Sequence, residues 1–153
     1  MASEKVIGAL NEGRARELTA ILTYMAQHYE LEDQDFGKLA TKMKEIGIQE
    51  MKHAEELAER ILFLNGEPTM KPDAKIERGL EMEKMMDLDI GLETEAIKMY
   101  NEASKLCAAE GDMVSKELFE SLLKEEEEHL DYFQNVKAHM ERMGAAYIAT
   151  LTG

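Results

Sequence analysis

At 153 residues the chain fits one domain with room for a real core, and a formal charge of −14 without any basic block argues against nucleic-acid or anionic-membrane binding and favours attraction of cations. A lone cysteine, Cys107, rules out an internal disulfide and a thiolate metal cage, fits a reducing compartment, and reads as a small core residue. The opening Met1-Ala-Ser-Glu-Lys-Val6 lacks the basic-then-apolar plan of a signal peptide and no stretch approaches a membrane span in apolar length, so the sequence reads as soluble and cytoplasmic.

Strand signals are absent, and long runs of Glu, Lys, Leu, Met and Ala place the chain in the all-α class. The first helix runs from Ser3, as N-cap, to about Asp33, with the core row Leu10, Arg14, Glu17, Ile21, Tyr24, His28 and Leu31; His28 reads as a satisfied core histidine. Asp33-Gln34-Asp35 supplies a turn and a new N-cap. The second helix then covers about Phe36 to Asn65, with Leu39, Met43, Ile46, Glu50, His53, Leu57, Ile61 and Leu64 on one face, and Gly66 closes it in the left-handed conformation. Pro68 and Pro72 mark the one long connection, and the spacing predicts a third helix from near Asp73 to Ala109 with Met86, Ile90, Glu93, Ile97, Tyr100, Ser104 and Cys107 on its face. Gly111-Asp112 reads as a stop followed by an N-cap. The fourth helix spans about Met113 to Met143 and carries Phe119, Leu122, Glu126, His129, Phe133, Val136 and Met140. After Gly144 a small fifth helix, about 145–152, packs on the bundle or on other subunits.

In these rows acids and imidazoles occupy places where the 3.6 period calls for apolar side chains, and Glu50/His53 and Glu126/His129 share a helix face at i, i+3. The first and third helices are related by a repeat, Glu17-Leu-Thr-Ala-Ile-Leu-Thr-Tyr24 against Glu93-Thr-Glu-Ala-Ile-Lys-Met-Tyr100. Glu17 precedes Glu50 by 33 positions, as Glu93 precedes Glu126, and the midpoints fall on the two predicted tight turns. Each helical hairpin therefore sets one Glu opposite one Glu-x-x-His, about 25 Å from its turn at 1.5 Å per residue. Four carboxylates and two imidazoles converge at one level: Glu17, Glu50, His53, Glu93, Glu126 and His129. Two divalent ions would cancel the four charges. This constellation is the one known in ferritin-like di-iron and di-manganese carboxylate proteins, and its oxygen and imidazole donors suit iron or manganese. Tyr24, two turns after Glu17, is placed to hydrogen-bond a ligating carboxylate, and Tyr100 is its repeat mate. The ordinary alternative is that these acids pair with lysines or arginines inside the bundle, but the core rows offer little beyond Arg14. Two irons about 3.5–4 Å apart could give O₂ or peroxide two electrons at once, which makes Fe(II) oxidation the natural chemistry.

The set Glu17…Tyr24, Glu50-Met51-Lys52-His53-Ala54, Arg60-Ile-Leu-Phe-Leu64, Glu93 and Glu126-x-x-His129 resembles bacterioferritin over nearly the whole chain. That resemblance implies a ferritin-like antiparallel four-helix bundle with one long crossover and a short fifth helix, in a 24-subunit hollow homo-oligomer. It further implies a di-iron (Fe²⁺/Fe³⁺) ferroxidase site in each subunit fed by Fe(II) and O₂ or H₂O₂, a stored Fe(III) mineral, and haem b shared between two subunits at each two-fold interface. By the same likeness Glu50 and Glu126 bridge, Glu17 and His53 serve one iron, and Glu93 and His129 the other. Met51 would be the axial haem ligand; it lies about 160° around the helix from His53, on the outward side near Ile48. A small ferredoxin is implied as the reductant of the stored iron. Some family members carry a His and an acid four to five residues before the bridging Glu as an inner iron site, whereas Glu45 and Ile46 stand there in this chain.

Iron storage with ferroxidation is thus the leading reading. A rubrerythrin-like di-iron peroxidase or a di-manganese catalase is the enzymatic alternative, disfavoured by the lack of a Cys-x-x-Cys electron-transfer segment, and a non-catalytic haem or assembly protein is the third class. Glu127 and Glu128 read as a solvated face.

Overall fold

The structure, a computed structural model, describes residues 3–153. Met1 and Ala2, at the head of the segment read as lacking a signal-peptide plan, lie outside the described residues. Five helices follow one another: α1 (Glu4–Asp33), α2 (Gly37–Phe63), α3 (Met82–Ala109), α4 (Met113–Met143) and the short α5 (Ala145–Ala149). No helix among the described residues is long and apolar enough to cross a membrane.

Local chemistry sets most of these limits. The Ser3 hydroxyl accepts from the Val6 N–H at the start of α1, and the Asp112 carboxylate accepts from the Ser115 N–H at 2.9 Å to start α4. Gly111, at φ +76°, makes the turn between α3 and α4, and Gly144, at φ +52°, ends α4. Two termini differ from expectation. Asn65, at φ +66°, takes the left-handed position at the end of α2, and Gly66 follows with its N–H bonded to the Ile61 carbonyl. Gly66 is required for space instead: a Cβ there would sit 2.8 Å from Ile7 and 2.9 Å from Ile61 side-chain atoms. At the first turn, Asp35 adopts φ +64° and no side chain caps α2, whose Lys38 N–H bonds to the Leu151 carbonyl of the C-terminal segment.

The larger correction concerns α3, which begins at Met82 and not near Asp73. Asp73 is held by α1, accepting from the Thr19 hydroxyl at 2.6 Å and pairing with Arg16 at 2.9 Å. The whole crossover is tied along α1 in this way, from Asn11 with Glu67 and Thr69, through Arg14 with Thr69, to Glu30 with Arg78 and Gly79. A crossover of this reach lets α3 start at the same end of the bundle as α2. Consequently α1 and α2 are antiparallel, α3 and α4 are antiparallel, and the two hairpins pack through α1–α3 and α2–α4.

The core is divided into two apolar clusters. One holds Tyr24, Leu31, Leu39, Met43, Met85, Met86 and Phe133, the other Leu10, Leu57, Ile61, Tyr100, Cys107 and Phe119. On every long helix a buried Glu, or a Glu and a His, lies between the two, so a polar layer crosses the bundle at mid-height. The buried face of α3 is turned slightly from the predicted row: Asp89, Leu92 and Ala96 are buried where Ile90 and Ile97 are only partly so. The short α5 packs on its own bundle, with Tyr147, Ile148 and Leu151 against the first cluster.

Candidate metal centre

Each long helix contributes to the polar layer because its apolar row is interrupted at the same height. Glu17, Glu50, His53, Glu93, Glu126 and His129 all meet there, and each is at most 4% exposed. Two overlapping groups form, Glu17–Glu50–His53–Glu126 and Glu50–Glu93–Glu126–His129, whose candidate donor atoms lie within 4.8 Å of one another. Glu50 and Glu126 belong to both. The two imidazoles lie nearly parallel with ring centroids 6.2 Å apart.

The orientations decide what such a cluster can hold. His53 Nδ1 faces oxygens of Glu50 and Glu126 at 3.1 Å and of Glu17 at 3.3 Å, and His129 Nδ1 faces Glu50, Glu126 and Glu93 at 3.3, 3.4 and 3.6 Å. Neither nitrogen makes a well-formed hydrogen bond. Glu17 Oε2, both oxygens of Glu50, Glu93 Oε2 and Glu126 Oε1 are likewise buried without a protein partner. So many inward-facing oxygen and nitrogen atoms, orphaned in one place, would be costly unless something with positive charge joined them. Lysine and arginine do not supply it: the ion pairs of the described residues bring only histidines to these carboxylates, and Arg14 is spent on the carbonyls of Ala54 and Thr69. The donor set therefore fits two divalent cations sharing Glu50 and Glu126.

The protonation of the metal-free cluster follows from its burial. Burial and the neighbouring Glu126 push Glu17 and Glu93 up to about 8, and burial and like charge raise Glu50 and Glu126 as well. For the imidazoles burial acts downward but is overcome by the surrounding carboxylates, so both are raised, His129 to about 12. Protons thus hold the charge that cations would carry.

A ring of hydrogen bonds orients the cluster from outside. The Tyr24 hydroxyl donates to Glu93 Oε1 at 2.6 Å, and the Tyr100 hydroxyl donates to Glu17 Oε1 at 2.6 Å. Both tyrosines are fully buried, and burial followed by the adjacent carboxylates holds them well above the usual phenol range, keeping them as donors. Gly13 makes room for Tyr100, since a Cβ would come within 3.1 Å of its ring and 3.3 Å of Phe119. His53 Nε2 is bonded to Glu125 at 2.7 Å and His129 Nε2 to the Gln49 side-chain oxygen.

Glu125 and Gln49 are contacts that pattern reasoning missed; the available signal was that each immediately precedes a central Glu. A second omission is the buried pair Gln27–Asp89, bonded at 2.8 Å one turn from Tyr24 and Glu93. His28 is, as read, a satisfied core residue, its Nδ1 bonded to the Ala40 carbonyl at 2.6 Å. Met51 and Ile48 lie on the outer face of α2, 41% and 40% exposed. Ile46 is in the core and Glu45 is exposed, while Glu127 and Glu128 are solvated. Cys107 is buried and unpaired.

Fold and cluster together define a ferritin-like protein, and a model of the ferritin-like domain family matches residues 7–143. The chain is 44% identical over 149 residues to the bacterioferritin of Desulfovibrio desulfuricans, covering 97% of this chain and 83% of that one. It is 38% identical to the bacterioferritin of Rhodobacter capsulatus (96% and 91% covered). A crystal structure of the Desulfovibrio desulfuricans bacterioferritin, which describes that protein's diiron site, superposes with a TM-score of 0.96 over 97% of this chain and 87% of its own. The chain belongs to the bacterioferritin family.

Proposed function

We infer that this chain is a subunit of an iron-storing shell and oxidises Fe(II) at the mid-bundle cluster, with Fe(II) and O₂ or H₂O₂ as substrates. The observation that carries the reading is the pair of overlapping donor groups whose shared members are Glu50 and Glu126. We assign Glu50 and Glu126 as bridging ligands, Glu17 and His53 as ligands on one side, and Glu93 and His129 on the other.

Glu17, Glu50, His53, Glu93, Glu126 and His129 would hold two Fe(II) ions as substrate, and these would supply two electrons to O₂ or H₂O₂ and become the Fe(III) that is stored. Everything else is the work of the chain. Glu17 and Glu93 give up the protons they hold near neutral pH as cations enter, and the imidazoles turn neutral Nδ1 lone pairs inward while Nε2–H stays fixed by Glu125 and Gln49. Tyr24 and Tyr100 restrain Glu93 and Glu17 by one oxygen each, leaving the other free as a donor. The two apolar clusters above and below exclude bulk water from the layer.

The finer features come from the family. We propose a 24-subunit assembly and haem b held between two subunits by Met51 from each. Support for the haem is the outward, exposed thioether of Met51 on a face that also exposes Ile48, with exposed Leu22 and Tyr29 on α1. A small ferredoxin is the proposed reductant, and the unpaired Cys107 accords with a cytoplasmic setting. Mass in solution tests the storage reading: a large closed shell that takes up iron supports it, whereas a monomer or simple dimer at physiological salt contradicts it. Peroxide turnover far exceeding Fe(II) oxidation would favour the peroxidase alternative.

A further inference from the structure

The internal repeat relates α1–α2 to α3–α4, and around the metal centre its members match: Glu17 with Glu93, Tyr24 with Tyr100, Glu50 with Glu126, His53 with His129. The tyrosine bonds match too, each 2.6 Å to the terminal Glu of the other hairpin. One pair breaks the symmetry at the imidazoles. Positions 49 and 125 are also repeat mates, and each reaches across to the imidazole of the opposite hairpin, but one is an amide and the other a carboxylate. His53 Nε2–H therefore donates to the Glu125 carboxylate at 2.7 Å, while His129 Nε2–H donates to the neutral Gln49 oxygen. A carboxylate on the far nitrogen polarises the ring and makes the near nitrogen a better donor to a cation, an effect of about 10-fold or more in metal affinity at other histidine sites.

We propose that Glu125 and Gln49 are positioning residues that make the two halves of the centre unequal, so that the place between Glu17 and His53 takes a divalent cation first and the place between Glu93 and His129 second. This rests on the ligand assignment above. The bridging carboxylates are common to both places and cannot discriminate. The imidazole partners differ in charge, with one negative charge added on the His53 side only. The buried Gln27–Asp89 pair near Glu93, whose repeat mates are Ala103 and Gly13, is a second departure from the repeat that the exchange of positions 49 and 125 leaves untouched.

The test uses the assembled protein stripped of metal and given one equivalent of Co(II) per subunit, with occupancy of each place read from anomalous diffraction. The native protein should show several-fold higher occupancy beside His53. Glu125→Gln keeps a hydrogen-bond acceptor and removes only the charge, and should bring the two occupancies together. The double exchange Gln49→Glu with Glu125→Gln should reverse the order. Equal filling in the native protein, or a preference that survives the exchange, overturns the proposal while leaving the dinuclear centre intact. Absence of Co(II) from both places overturns the centre and the proposal together.

Discussion

Tyr24 on α1 donates its hydroxyl proton to Glu93 on α3 across 2.6 Å, and the reciprocal bond from Tyr100 to Glu17 closes the cluster from the other side. Each hairpin thereby holds one buried carboxylate of its counterpart. Removing one bond without altering packing, as in Tyr24→Phe, frees Glu93 to rotate, and should lower Fe(II) affinity and oxidation rate by about 10-fold. Tyr100→Phe should do the same through Glu17. Stopped-flow oxidation of Fe(II) measures both, and rates equal to the native protein would remove the tyrosines from the mechanism.

The metal-free centre makes stability depend on pH with a definite sign. Glu17 and Glu93 are raised from 4.5 to about 8, so the folded state keeps protons that the unfolded chain loses. Their contribution is complete below about pH 4.5 and is lost as pH rises through 8. His53 and His129 are raised as well, so theirs is complete below about pH 6.5 and falls in the same direction at higher pH. Calorimetry of metal-free protein should show Tm decreasing from pH 5.5 to 8.5. Divalent cations need the ionised carboxylates and neutral imidazoles, so Co(II) should raise Tm more at pH 8 than at pH 6. A metal-free Tm that climbs over this range would contradict the account.

Asp89 is a buried acid outside the six. It is fully buried, accepts one bond from Gln27, and is pushed well above the usual carboxylate range, first by burial and then, against the Gln27 bond, by the nearby Glu93. It stays neutral in the fold while the unfolded chain ionises it above about pH 4, which costs stability at neutral pH. Asp89→Asn keeps the acceptor for Gln27 and removes the ionisation. It should stabilise the protein by roughly 1–3 kcal/mol at pH 7, with little gain at pH 4, as read by denaturant unfolding at the two pH values.

Met51 is separated from the cluster by the thickness of α2, although it is only two residues from His53. Met51→Leu keeps the size and apolar character of the side chain. On the proposed haem assignment, it should abolish the Soret band of the purified protein while Fe(II) oxidation stays within about two-fold of native. A full Soret band in this variant would assign the haem ligand elsewhere.

The layer of six was legible because its signals are local: a Glu-x-x-His at helical spacing twice, acids inside apolar rows, and equal separations about two turns. Partners that come from the opposite hairpin were not. Glu125 is one Glu in a run of four, and nothing in the run tells it from Glu127 or Glu128, which point to solvent. The start of α3 was misplaced for the same reason. Asp73 after Pro72 has the chemistry of an N-cap, and only the folded chain places Thr19 and Arg16 against it. The small turn of the α3 face, which buries Asp89 in place of Ile90, reflects packing against two neighbours at once and leaves no mark in the periodicity of one helix.

The most direct test of the dinuclear reading is the stoichiometry of fast oxidation. Metal-free protein loaded anaerobically with increasing Fe(II) and then mixed with O₂ should show a rapid phase whose amplitude saturates at two Fe(II) per subunit, one for each donor group, and this phase should vanish in Glu126→Ala. A rapid phase that saturates at one Fe(II) per subunit, or that persists without Glu126, would contradict the account.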